Sequence, residues 1–210
     1  MNEKTLEGYH ATSKENIQLI MKNGFIESKA SIGHWLGKGI YLFENLYYAI
    51  EWEIIGVIKH DITDYNEIEQ KCGILIVDLD IDNYNIIDFS EPQGYAIFEC
   101  LLQLIKANYS KEKYEEILNK GYAYIIKILE NLEKQNNVKY ISRYDIICAV
   151  YPKYITKQKT HLPGDFIHCI QKQICIKNKE AIKNIYELEH SDMTKGIFDL
   201  ITNNRGEKND

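Results

Sequence analysis

Three side chains stand where a fold could put them to chemical use. His10 lies in Glu7-Gly8-Tyr9-His10-Ala11-Thr12, Tyr41 closes Gly37-Lys38-Gly39-Ile40-Tyr41, and Gln173 opens Gln173-Ile174-Cys175-Ile176-Lys177. A neutral imidazole offers one donor and one acceptor, a tyrosine ring offers a flat face with a polar tip, and a glutamine amide hydrogen-bonds without charge. Each has a plain structural alternative, and with 16 tyrosines in the chain a single strand tyrosine says little alone. Other constellations are weaker. His161, His168 and Cys169 are close in sequence, but their spacing matches no structural zinc pattern; a surface loop is expected there and no metal is predicted. No G-x-S-x-G occurs, so a hydrolase nucleophile elbow is excluded. Gly37-x-Gly39 precedes a strand instead of leading from one into a helix, so it is not a dinucleotide fingerprint. Only Arg143 and Arg205 are arginines, and a phosphate site built from several guanidinium forks is therefore not available.

The elements that must position these residues can be read from period and punctuation. Residues 7–11 are strand-like and run into a helix start, where Thr12 stands three residues before Glu15 in capping-box spacing. Ile17, Ile20 and Met21 share one helical face, and Gly24 closes the helix. This sets His10 at a strand end beside a helix N-terminus. Residues 40–43 read as a strand, with Asn45 capping a helix through Ala49 and Trp52, so Tyr41 begins a second strand-to-helix step. Residues 73–79 and 86–89 are strand-like, about 95–134 read as two or three helices, and 145–151 and 173–177 are again strand-like. Residues 180–188 read as a closing helix and 203–210 as a polar tail expected to fray. The order is mixed α+β. We expect one domain over residues 1–202, with a helical insertion at about 94–136.

Composition narrows the class. With 45% hydrophobic and 27% charged residues, 210 residues can bury one sizeable core, and no apolar run is long enough to span a bilayer. No apolar stretch follows the charged first five residues, so no secretory signal is read, the cytoplasm is the expected compartment and no membrane partner is expected. Five cysteines (Cys72, Cys100, Cys148, Cys169, Cys175) form no C-x-x-C pair and are expected to be buried free thiols. A net charge of −6 argues against a surface given over wholly to nucleic acid, while leaving room for a local basic patch.

Gly8-Tyr9-His10-Ala11-Thr12, the helix ending at Asn23-Gly24-Phe25, and Trp35-Leu36-Gly37-Lys38-Gly39-Ile40-Tyr41-Leu42-Phe43 together resemble the NAD-binding half of the ADP-ribosyltransferase superfamily. The likeness is to its diphtheria-toxin and poly(ADP-ribose) polymerase-like branch, whose pattern is Y-H-G-[ST], then G-K-G-I-Y-F, then a glutamate on a later strand. Ala11 stands where that branch has glycine, which narrows the approach of the adenosine half of NAD to the backbone. The resemblance implies a split mixed β-sheet core with flanking helices, NAD as co-substrate and no metal. It implies that His10 bonds the ribose hydroxyls, that Tyr41 lays its ring on nicotinamide, and that the two share one cleft. Gly37 and Gly39 would let the chain pass close to the ligand, with Tyr9, Ala11, Thr12 and Glu44 completing the NAD-binding set.

At the third position Gln173 replaces the family's glutamate. A carboxylate there would accept from the ribose 2′-OH and stabilise the positive charge growing on the anomeric carbon. Glutamine keeps the hydrogen bond and loses the charge, at a cost on the order of 2.7–4 kcal/mol. Gln171-Lys172-Gln173 echoes the Q-x-E turn of toxin-like transferases, with Gln171 toward the acceptor. Glu44 and Glu180 are alternative acids, whose plain readings are a helix-cap neighbour and a solvated helix-face charge. The resemblance therefore implies an NAD-dependent mono-ADP-ribosyltransferase acting on a protein, nucleic-acid or small-molecule acceptor. A non-catalytic NAD or ADP-ribose-binding module, which Gln173 favours, and an NAD glycohydrolase are the alternatives. A bacterial toxin or anti-phage defence effector with an inhibitory partner protein is the expected setting. The helical block is expected to pack outside the NAD cleft and to take part in acceptor or partner choice.

Overall fold

The architecture comes from a computed structural model that describes residues 5–26, 36–58, 65–152, 170–189, 195–196 and 198–199. Among these the order is β1 (Thr5–Ser13), α1 (Lys14–Asn23), β2 (Ile40–Phe43), α2 (Leu46–Ile58), α3 (Tyr65–Lys71), β3 (Cys72–Asp80), β4 (Ile86–Asp88), α4 (Pro92–Asn108), α5 (Lys111–Asn119), α6 (Tyr122–Asn136), β5 (Ile146–Pro152), β6 (Ile170–Ile176) and β7 (Ile182–Glu187). The protein is thus mixed α+β, with parallel and antiparallel strand pairing. The chain divides into two compact units, one of Met1–Lys4, Ile26–Tyr41 and Asp80–Ala181, the other of Thr5–Phe25, Leu42–Leu79 and Ile182–Asp210. The division falls inside β2, after Tyr41.

In the first unit the strand order is β4-β5-β6, with the opening residues of β2 next to β6. β4 and β5 are parallel, Ile87 opposite Ile147, and a parallel pair needs a long crossover, which α4, α5 and α6 supply. β5 and β6 run antiparallel from Ile146↔Ile176 to Pro152↔Ile170. Alternation turns Ile87, Ile147, Ala149 and Cys175 to one face, where they join one buried cluster with the helices. Phe98, Leu101, Leu102 and Ile105 bring the i, i+3, i+4, i+7 stripe of α4 onto that face, and Ile125, Ile128, Leu129 and Leu132 do the same from α6. Side chains of this kind contribute about 1.5–3 kcal/mol each when fully buried, so the helical block makes up much of this unit's core. Asp145 joins the layer's end. Its carboxylate accepts from the Asn85 N–H at 2.9 Å and the Asn178 amide at 3.1 Å, and its carbonyl accepts from the Lys177 N–H at 2.7 Å.

In the second unit the close of β2 is followed by β1, β3 and β7. Tyr9 lies opposite Phe43, and Phe43 packs with Ala49, Ile50, Ile74 and Phe198 against the partly buried Tyr9 and Ala11. Strand β1 continues to Ser13, one residue beyond the expected cap. Ser13, not Thr12, therefore caps α1 by accepting from the Asn16 N–H at 3.3 Å, and Thr12 Oγ1 takes the Asn16 side-chain amide at 3.1 Å. Gly24 closes the helix at φ +74°, a left-handed conformation that glycine adopts without a Cβ clash. Asn45 caps α2 as expected, its side chain accepting from the Tyr47 N–H at 2.9 Å.

The closing helix expected at 180–188 is instead a short 3₁₀ turn, Lys179–Ala181, followed by strand β7. Ile182 and Ile185 fit a helical i, i+3 step in sequence. However, β-branched residues beside Tyr186 also suit a strand, and β3 offers an antiparallel ladder from Leu75↔Glu187 to Leu79↔Ile182, with a register shift between Asp78 and Leu79. A hydrogen-bonded edge outweighed a weak local period. Cys148 and Cys175 are the buried thiols expected, whereas Cys100 is exposed and Cys72 intermediate. His161, His168, Cys169 and the tail at 203–210 lie outside the described residues.

Candidate functional site

Tyr41, Gln173 and Gly39 belong to the first unit, and Tyr9, His10, Ala11, Thr12 and Glu44 to the second. Tyr41 and Gln173 stand on neighbouring strands of the first unit, and Tyr9, His10, Ala11 and Thr12 follow one another along β1 in the second.

Around Tyr41 the geometry is tight. Its hydroxyl donates to the Gly37 carbonyl at 2.6 Å and accepts from the Leu36 N–H at 2.9 Å, so the phenol ties the turn that precedes its own strand. The ring packs on the unit's apolar cluster yet remains partly exposed. Burial, followed by the Cys175 thiol, pushes the hydroxyl far above the ordinary tyrosine range, although the Leu36 N–H works the other way. Tyr41 therefore stays protonated and donates; it cannot act as a base. Cys175 lies 3.9 Å from both the Leu36 and Lys38 carbonyls, and burial pushes its thiol up to about 11. A thiol held protonated in this way is no nucleophile.

Gln173 sits opposite Ala149 on β6 and is partly exposed. Strand alternation gives Gln171, Gln173, Cys175 and Lys177 one face, and Tyr41 reaches the same face because its hydroxyl contacts Cys175. Tyr41 and Gln173 thus rise from neighbouring strands toward one side, the side on which α4 and α6 pack, so the helical block is not set apart from these residues as expected. Gln171, expected to meet the acceptor, is buried. A Cβ on Gly39 would come 2.5 Å from Cys175 Sγ and 2.7 Å from the Ile176 carbonyl, so the missing side chain makes room for β6. At Gly37 the backbone has φ +82°, and a Cβ would meet Lys177 Nζ at 2.9 Å and Ile126 Cγ2 at 3.2 Å.

Sequence reasoning passed over Lys177. Its ammonium donates to the Leu36 carbonyl at 2.7 Å and the Lys38 carbonyl at 2.8 Å, clamping both sides of Gly37. The available signal was the two-residue period, since a lysine stands on the same face as Gln173 and Cys175 in an otherwise apolar run. Glu130 of α6 also approaches this turn, its Oε1 being 3.6 Å from the position of a Gly37 Cβ. A depression of about 500 Å³ at the end of α6, lined by Glu130, Glu133, Lys134 and Ser142 among others, includes neither Tyr41 nor Gln173.

In the second unit β1 alternates. Tyr9 and Ala11 turn into the cluster around Phe43, so His10 and Thr12 take the opposite face. The four neighbours therefore do not offer their side chains to one ligand together; any shared contact must use the backbone. His10 is partly exposed and meets the edge of Phe25 with ring centroids 5.1 Å apart. Tyr9 hydrogen-bonds Glu7, and burial first, then that carboxylate, pushes its hydroxyl up to about 12. Glu44 is exposed just before the Asn45 cap of α2. Glu180, the other alternative acid, is exposed in the 3₁₀ turn, not on a helix face. Among the described residues no group of three or more His, Cys, Asp or Glu side chains could hold a metal ion, and no helix is long and apolar enough to cross a membrane.

With this geometry in place, the chain can be compared with known proteins. It is similar to the uncharacterized protein MJ0359 of Methanocaldococcus jannaschii, with 24% identity over 194 residues covering 86% of this chain and 87% of the other. The likeness runs through nearly the whole of both chains, and that protein's name states no activity. No protein-family profile matches the chain, and no solved structure matches it significantly.

Proposed function

We propose that the protein is an NAD-dependent mono-ADP-ribosyltransferase with an ADP-ribosyltransferase-like fold, acting in the cytoplasm on a protein or nucleic-acid acceptor. The observation that carries this reading is the placement of Tyr41 and Gln173 on adjacent strands of one unit, facing the same side, within the motif order described above. The Tyr41 ring, its tip fixed by Leu36 and Gly37, presents a flat surface for nicotinamide. The Gln173 carbonyl accepts from the ribose 2′-OH and orients the sugar as the glycosidic bond lengthens. His10 binds ribose through its imidazole. The bond from the anomeric carbon to nicotinamide breaks with its electron pair on the leaving base, and the acceptor's lone pair then closes on the anomeric carbon.

A second reading has an observation of its own. β6 reads Ile-Gln-Lys-Gln-Ile-Cys-Ile and carries no carboxylate, which favours a module that binds NAD or ADP-ribose without cleaving it. Incubation with adenylate-labelled NAD⁺ and cell lysate separates the readings. Transfer gives label in macromolecules, and protease or nuclease sensitivity then names the acceptor class. Free labelled ADP-ribose alone indicates glycohydrolysis, and intact NAD⁺ retained on the protein indicates a binder.

A further inference from the structure

We infer that Lys177 is a positioning residue for Tyr41, acting through the Leu36-Gly37-Lys38 turn that both side chains grip. Tyr41 holds the turn from β2 through the Leu36 N–H and the Gly37 carbonyl, at 2.9 and 2.6 Å. Lys177 holds it from the end of β6 through the Leu36 and Lys38 carbonyls, at 2.7 and 2.8 Å. Between them the two side chains engage all three residues of the turn. Leu36 is fully buried, so its carbonyl needs a protein partner, and the ammonium supplies a charge-assisted one. Gly37 completes the device. Its φ of +82° points the carbonyls on either side toward one cation, and its lack of a Cβ leaves space for Lys177 Nζ.

The consequence reaches the site. Gln173 and Lys177 share a face of one strand, about 13 Å apart along it. Lys177 therefore links the strand that carries Gln173 to the turn that orients the Tyr41 ring. For NAD binding this inference rests on the transferase reading; for the turn itself it does not.

Hydrogen exchange at the Leu36 amide, whose partner is the Tyr41 hydroxyl, tests the linkage directly. Lys177→Met is expected to speed that exchange roughly tenfold or more, as loss of a charge-assisted hydrogen bond implies, with amides of the β5–β6 ladder unchanged. Lys177→Arg, which keeps a cation with several donors, restores most of the protection. Tyr41→Phe also speeds exchange, and the double variant Tyr41→Phe/Lys177→Met is no faster than the faster single one, because both substitutions release the same turn. Unchanged Leu36 protection in Lys177→Met, or fully additive effects, would overturn the inference. If Lys177→Met does not fold, Lys177→Gln carries the same cycle with the same criteria. In calorimetry, Lys177→Met is expected to weaken NAD⁺ binding about tenfold with rescue by Lys177→Arg, and an unchanged affinity would sever the link to the ligand. Failure of the wild type to bind NAD⁺ would sink the transferase reading, while the exchange cycle would still decide the role of Lys177.

Discussion

In the proposed transferase, Gln173 is the residue on which the chemistry turns. If its amide orients the ribose, Gln173→Ala lowers NAD⁺ turnover by about 10²-fold while changing NAD⁺ affinity little, since the contact counts most as charge develops. Gln173→Glu restores a carboxylate and is expected to raise nicotinamide release; steady-state kinetics on both variants checks this, and full turnover in Gln173→Ala would move the role elsewhere, with Glu44 next. Two other residues govern stability. Glu133 is buried, and its Oε1 accepts from the N–H groups of Tyr140, Ile141 and Ser142 at 2.5, 2.5 and 2.8 Å. Glu133→Ala leaves those donors without that acceptor and is expected to cost about 2–3 kcal/mol, read as a lower urea midpoint at constant slope. Asp88 pairs with Lys172 at 2.7 Å. Burial pushes its carboxyl up, but the hydrogen bonds from Lys172 and Ser90 outweigh burial and hold it below the ordinary aspartate range. A folded-state value below the unfolded one stabilises above the unfolded pKa, and that stability is lost as pH falls through the folded value. Wild type should therefore lose stability below pH of about 4 more steeply than Asp88→Asn, as acid titration of the two would reveal. His10, Tyr41 and Gln173 were singled out in sequence by the order and spacing of their motifs, not by residue type alone. Lys177 left only a faint signal in its period, since its contacts are with a turn about 140 residues earlier.

At the scale of elements, strands written as short apolar runs rich in β-branched residues were legible. Residues 40–43, 73–79, 86–89 and 145–151 each lie within about one residue of a strand that forms, and the region 95–134 resolves into three helices. The miss at β7 has a physical cause: Ile182 and Ile185 stand a helical step of three apart, and only the ladder with β3, roughly 105 residues earlier and shifted in register at Asp78/Leu79, makes the segment a strand. The role of Gly94 was equally hidden. It lies in the first turn of α4, where a helix former would serve better, yet a Cβ there would overlap the Asp88 carbonyl. Gly94→Ala is expected to destabilise by about 2 kcal/mol or more, measurable as a fall in melting temperature, because a backbone clash at the β4–α4 junction cannot relax by rotamer change. The fully buried Ile105, Ile126 and Leu129 make the helical block part of the core. Its removal should unfold the first unit, so the proposal that it takes part in acceptor choice must be tested by exchanging exposed residues.

For the molecule as a whole, the proposed activity is binding of NAD⁺ and breakage of its nicotinamide bond. Tyr41 and Gln173 belong to the first unit and His10 to the second. The similarity to MJ0359 across 86% of the chain makes that protein a natural second subject for the same assay. The most direct measurement is the time course of nicotinamide release from NAD⁺ by the full-length protein, with lysate supplied as acceptor and Tyr41→Ala as control. Protein-dependent release is expected, reduced at least about 10²-fold by Tyr41→Ala and on a similar scale by Gln173→Ala. Nicotinamide release no faster than the buffer rate would contradict NAD⁺ cleavage by this chain.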